Sequence, residues 1–203
     1  LNYYICKKLK NMIDIIFDII KPVSNLEYQL IKDEQVIDGL LWGKPRNGHP
    51  EGEVIYHVSD VLKNVDKYYK DDSDYYKLRV IAIVHDTFKY KVDRTKTRSG
   101  ENHHAKIARN FSEKYIDDKG VLDVIELHDE VYNIWQTIFR RNSIDKGTKR
   151  LNSFNVRMKD NMDLFIKFYK CDSSLDSKKS DDYDWFLNTI EYDKSKWYWI
   201  FSI

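Results

Sequence analysis

The chain has 203 residues, of which 42% are hydrophobic and 33% charged, a composition that excludes disordered, collagenous and membrane classes and suffices for one domain with a full core. Lys and Arg number 34 against 33 Asp and Glu, so no global charge makes DNA, RNA or an anionic membrane an obligatory partner. Its two cysteines, Cys6 and Cys171, lie far apart and fit neither a disulfide framework nor a paired-thiolate zinc site, which reads as a cytoplasmic protein; the oligomeric state is left open.

Met12 to Ile20 is apolar but short and carries Asp14 and Asp18, so it is expected neither to span a membrane nor to act as a secretory signal. Glycine and proline are scarce, at 7 and 3, which predicts long helices joined by short polar connections and an all-α fold, a single-domain helical bundle. Gly43 to Pro50 gathers several of these breakers and reads as a loop. It sets off a helical lead-in over residues 1–43, expected to pack on the domain, from a core with C-terminal helices over residues 44–203.

Beyond the loop, Val54, Ile55, Val58, Val61, Leu62 and Val65 recur at spacings of three and four and predict an amphipathic helix over 51–69 that contains His57. A second helix is predicted over Tyr75 to Tyr90. Its run from Val80 to Val84 is apolar on nearly every face, places it in mid-core and leads into His85-Asp86. Further helices are expected near 102–116, 120–140, 151–171 and 181–190, with the aromatic tail Trp197 to Phe201 packed down.

An ionised carboxylate beside an imidazole at the end of an apolar helix is costly to bury unless it is paired or bound to a metal. Alone, His85-Asp86 is most often a satisfied core pair. Four further candidate ligands, His57, His104, His128 and Asp172, each fall on a different predicted helix, and helix bundles assemble metal sites from facing helices. Imidazole with carboxylate suits Zn, Fe, Mn or Ni, and a more carboxylate-rich shell suits Mg. Six ligands are enough for two ions, with Asp86 able to bridge them through its two oxygens.

This order, a His, then His-Asp, then two more His and a late Asp, resembles the HD-domain superfamily of metal-dependent phosphohydrolases over roughly residues 44–176. His57 in EVIYHVSDVL is similar to the first ligand, His85 and Asp86 in LRVIAIVHDTFKY to the eponymous pair, and His104 in HHAKIARNF to the third histidine. His128 in VIELHDEVYNIW is similar to the fourth, and Asp172 in LFIKFYKCDSS to the closing aspartate. His103 and Asp176 stand as alternatives to His104 and Asp172.

The resemblance implies hydrolysis of a phosphomonoester or phosphodiester, expected to be that of a nucleotide, by a metal-bound hydroxide held between two divalent ions. Alarmone or cyclic-dinucleotide hydrolysis, or a metal- and nucleotide-binding sensor without activity, are the alternatives. Asp86 and Lys89 are the expected catalytic groups. Lys89, on the same helical face as the pair, is also expected to bind substrate phosphate with Arg94 and Arg98 of the following basic loop and Arg46 of the earlier one. Glu126 and Asp129, which flank His128, are read either as carboxylates that orient it or as surface charges, and Tyr132 and Trp135 as core more often than a base-stacking platform.

Overall fold

The computed structural model describes residues 12–45, 52–174 and 181–190. In chain order the helices are residues 12–20 (α1), Asn25–Leu30 (α2), Glu34–Leu40 (α3), Val54–Tyr69 (α4), Tyr75–Val84 (α5), His104–Ser112 (α6), Lys119–Leu127 (α7), Glu130–Trp135 (α8), Ile144–Met158 (α9), Met162–Ser173 (α10) and Asp181–Thr189 (α11). The fold is all-α, as the scarcity of breakers predicts. Among the described residues the strand-like pairing is confined to one antiparallel bridge between Gly43 and Glu53. No described helix is long and apolar enough to cross a membrane.

Helix α5 forms the axis of the bundle. Leu78, Val80, Ile81, Ala82, Ile83 and Val84 are all buried, and α2, α4, α7 and α10 pack around them. Helix α6 lies against α7 and against the turn that follows α5. Helix α3 approaches the same turn so closely that a Cβ on Gly39 would meet the Thr87 carbonyl oxygen at 1.9 Å. Glycine is therefore required there by contact rather than by backbone conformation.

Residues of α1 to α3, among them Ile16, Ile20, Leu30, Val36, Ile37 and Leu40, belong to the same buried core. A buried ion pair fastens them to the bundle. The Arg79 guanidinium, 1% exposed, donates to the fully buried Glu27 carboxylate, to Asp66 at 2.7 Å and to the carbonyls of Ile20 and Lys21. Ser24 caps α2 by accepting the Glu27 N–H at 3.3 Å, while the Glu27 carboxylate reaches back to the Val23 N–H.

Three predicted boundaries differ. The helix expected to reach Tyr90 stops at Val84, and the chain tightens into a 3-10 turn over Thr87–Lys91. The single helix expected over 120–140 divides at His128-Asp129 into α7, α8 and a π turn over Gln136–Arg140. That expected over 151–171 is instead the end of α9, a 3-10 turn at Lys159–Asn161 and α10. No Gly or Pro marks these breaks. They fall at residues near the sparsely allowed region between helix and strand, at φ/ψ of −105/−11 for Asp86, −87/−7 for Asp129, and −89/0 and −123/14 for Met158 and Asn161. The predicted tail from Trp197 lies outside the described residues.

Candidate metal centre

All six predicted ligands are buried, and the structure brings them together. His57 sits in the first turns of α4, His104 opens α6, and Asp172 lies in the last turn of α10. His85 and His128 are the residues at which α5 and α7 end, with Asp86 following directly on His85. Three helix C-termini, those of α5, α7 and α10, thus converge, and the negative ends of their dipoles favour positive charge between them.

The two oxygens of Asp86 face different histidine pairs. On one side His57 Nε2 lies 3.5 Å and His85 Nε2 3.7 Å from Asp86 Oδ2, with the two imidazole nitrogens 3.1 Å apart. Asp172 Oδ1 completes this side at 3.1 Å from His57 and 3.9 Å from His85. On the other, His104 Nε2 lies 3.2 Å and His128 Nε2 3.4 Å from Asp86 Oδ1, and the two nitrogens are 3.2 Å apart. Asp129 closes that side at 3.2 Å from His104 and 3.6 Å from His128.

Nitrogen and oxygen donors bound at 2.0–2.1 Å around one tetrahedral ion are separated from each other by about 3.3 Å. The observed edges, from 3.1 to 3.9 Å, lie around that figure, so the buried His and Asp groups beside Asp86 could hold metal ions. Each side contributes paired imidazoles and a carboxylate, the chemistry that Zn, Mn, Fe or Ni takes.

Hydrogen bonding orients the imidazoles. His85 Nδ1 lies 2.9 Å from the Ala82 carbonyl and His128 Nδ1 2.9 Å from the Ile125 carbonyl, each one turn back in its own helix. A carbonyl only accepts, so Nδ1 carries the proton in both rings and Nε2 is the nitrogen aimed at Asp86. This is the arrangement by which proteins fix the tautomer of metal-binding histidines.

The charges respond to burial and to one another. Burial lowers the His85 pKa to about 3 and keeps its ring neutral. Burial also opposes a charge on His128, but Asp129 and Asp86 outweigh it and raise that pKa to about 9. For Asp86 the desolvation that favours its neutral form is overcome chiefly by Lys89, which holds the carboxyl well below the usual range. Burial opposes the Lys89 charge as well, yet Asp86 raises its pKa. The Lys89 ammonium forms an ion pair with Asp86 Oδ2. A 3-10 turn eclipses residues three apart, so Lys89 stands over Asp86 rather than facing both members of the pair as an α-helix predicts.

A comparison with protein-family models, curated proteins and solved structures finds no match for this chain.

Asp129 is the residue that sequence reasoning undervalued: expected at most to orient His128, it lies against both His104 and His128. The available signal was its position in a second His-Asp dipeptide. Glu126 does not orient His128. It pairs with Arg109 at 3.1 Å and with Arg157, and the Ile125 carbonyl takes the orienting role instead. Of the alternatives, His103 accepts the Ala105 N–H and caps α6 and also groups with His104 and Asp129, while Asp176 lies outside the described residues. Tyr132 and Trp135 are not core. Tyr132 is 37% exposed and stacks on Trp135, whose ring carries Arg140 at 5.1 Å.

A cavity of about 510 Å³ opens beside the centre and is lined by Lys89, His103, His104, Arg94, Arg98 and Trp42. Three of the four residues expected to bind substrate therefore meet at one place, and Arg46 lies outside the described residues. Among the described residues that line it none is a carboxylate, and Lys89, Arg94 and Arg98 give that lining a positive charge that suits an anion.

Proposed function

We propose that this chain is a metal-dependent phosphohydrolase of the HD type that cleaves a phosphomonoester or phosphodiester bond of a small substrate. The observation that carries the reading is the division of Asp86, with Oδ2 toward His57 and His85 and Oδ1 toward His104 and His128. His57, His85 and Asp172 would hold one divalent ion and His104, His128 and Asp129 a second, with Asp86 common to both. When bound, such ions supply a water of lowered pKa and positive charge opposite the oxygens of a phosphate.

The chain's own groups do the rest. Asp86 fixes the spacing of the two sides, and the Ala82 and Ile125 carbonyls hold the imidazoles in the coordinating orientation. Lys89, charged beside Asp86 and lining the cavity, sets an ammonium at the point where a substrate phosphate enters. Arg94 and Arg98 add guanidinium groups on the loop that closes the same cavity, a geometry suited to phosphate oxygens.

The test is metal analysis of the purified chain, followed by assay on p-nitrophenyl phosphate and bis-(p-nitrophenyl) phosphate with Mn, Fe, Zn, Ni and Mg in turn. The expected result is about two ions per chain and hydrolysis that disappears in His85→Ala and Asp86→Ala. Bound metal without hydrolysis of any ester by the wild type would replace the enzyme with a metal-binding sensor. Absence of bound metal would remove both readings.

A further inference from the structure

The cavity is larger than a phosphate needs. At about 510 Å³ it falls within the range of sites that enclose a whole small molecule, and its phosphate-binding cations leave one wall unexplained. That wall is Trp42. The indole packs partly against the core and also lines the cavity.

Its position is built in by the backbone on both sides. The Trp42 N–H donates to the Gly39 carbonyl at 3.2 Å as α3 ends, and the Trp42 carbonyl accepts the Val54 N–H at 3.0 Å where α4 begins. Next to it, Gly43 pairs with Glu53 at φ 128, where an added Cβ would lie 2.3 Å from the Gly52 carbonyl oxygen. The aromatic wall is thus stapled to the first turn of the helix that carries His57.

On the cavity side the Arg94 guanidinium stands over the indole at 5.9 Å from the ring centroid. A flat ring in van der Waals contact with both faces needs about 7 to 8 Å between them. Arg94 is exposed on its loop, so a retreat of about 1 to 2 Å admits a planar group between guanidinium and indole. Arg98 and Lys89 remain to take the phosphate.

We propose that Trp42 is the stacking wall of a nucleobase subsite, so that the substrate is a nucleotide whose base lies on the indole, beneath Arg94, while its phosphate reaches Lys89 and the metal centre. This rests on the phosphohydrolase reading and narrows it to one substrate class. The half-exposed Tyr132–Trp135 pair on α8 takes no part, since neither ring lines this cavity.

The experiment compares esters that differ by the base, using the metal-loaded full chain: adenosine 5′-monophosphate against ribose 5-phosphate, and thymidine 5′-(p-nitrophenyl) phosphate against 2-deoxyribose 5-(p-nitrophenyl) phosphate. For the wild type the nucleotide member of at least one pair is expected to have the higher kcat/KM. In Trp42→Leu that preference is expected to fall by about tenfold, mainly through KM, and Trp42→Phe is expected to restore most of it. Metal content and melting temperature identify a variant that has failed to fold, and Trp42→Phe then carries the comparison alone through a smaller loss of the same ratio. A preference that survives Trp42→Leu, or a wild type indifferent to the base, overturns the proposal while leaving the phosphohydrolase intact. If the wild type hydrolyses none of the four esters, it is the phosphohydrolase reading that fails. Equilibrium titration of adenosine 5′-monophosphate against ribose 5-phosphate then decides the subsite by the same ratio.

Discussion

His57 and Asp172, the first and last of the predicted ligands in chain order, meet at 3.1 Å between Nε2 and Oδ1. Their contact closes one side of Asp86 and makes no use of the other, where His104, His128 and Asp129 lie. The two sides are therefore expected to be separable. Asp172→Ala is expected to lower the metal content of dialysed protein from about two ions per chain to about one, and Asp86→Ala to remove both. Elemental analysis of the two variants reads this directly, and equal losses would mean that Asp86 does not bridge.

His128 makes metal uptake dependent on pH. With its pKa raised to about 9, its ring is charged at neutral pH in the metal-free protein, and a bound ion must displace that proton. Affinity should therefore rise about tenfold per pH unit between pH 7 and 9 and level off above. Titration calorimetry in buffers of different ionisation enthalpy counts the proton released. A flat affinity over that range would remove His128 from the ligand set.

The same shifts set opposite slopes on the stability of the metal-free fold. The folded pKa of His128 lies above the unfolded value of 6.5, so its contribution is full below about pH 6.5 and is lost as the pH rises through about 9. His85, depressed to about 3, contributes above about pH 6.5 and loses that contribution as the pH falls toward 3. Thermal melts of chelator-treated protein should decline on both sides of neutrality, and added metal should remove most of the alkaline decline.

Gly39→Ala tests the packing that seats the HD turn. The new methyl would lie 1.9 Å from the Thr87 carbonyl oxygen, so either α3 or the turn must move. Overpacking of this kind costs about 1 to 3 kcal/mol, and here the shift falls two residues from Lys89. Denaturant unfolding should report the lost stability, and activity should fall further than stability alone explains.

Arg79 is a structural charge remote from the centre. Arg79→Ala leaves Glu27 buried and unpaired and is expected to cost about 3 to 5 kcal/mol. Replacing both partners, with Arg79→Met and Glu27→Leu, should cost less than Arg79→Ala alone, because no buried charge is then left without a partner. Urea unfolding of the two variants makes the comparison, with metal content expected to hold in each where the fold survives.

The helical class and the set of converging residues were legible in the sequence because both are written in local pattern. Period-3.6 apolar residues and the scarcity of Gly and Pro specify helices, and His or Asp set into apolar runs, as at His85-Asp86 and Asp172, needs a partner wherever the helices meet. The tertiary structure alone decided what depends on relative placement. Which oxygen of Asp86 faces which histidines, the admission of Asp129 and the exclusion of Glu126 follow from how α5, α6 and α7 pack, a matter on which neighbouring carboxylates of one helix look alike. The breaks at Asp86 and Asp129 carry no Gly or Pro to announce them. Trp42 and Arg94 come from separate segments, and only the folded chain brings the guanidinium over the indole and makes the two into one wall of a cavity.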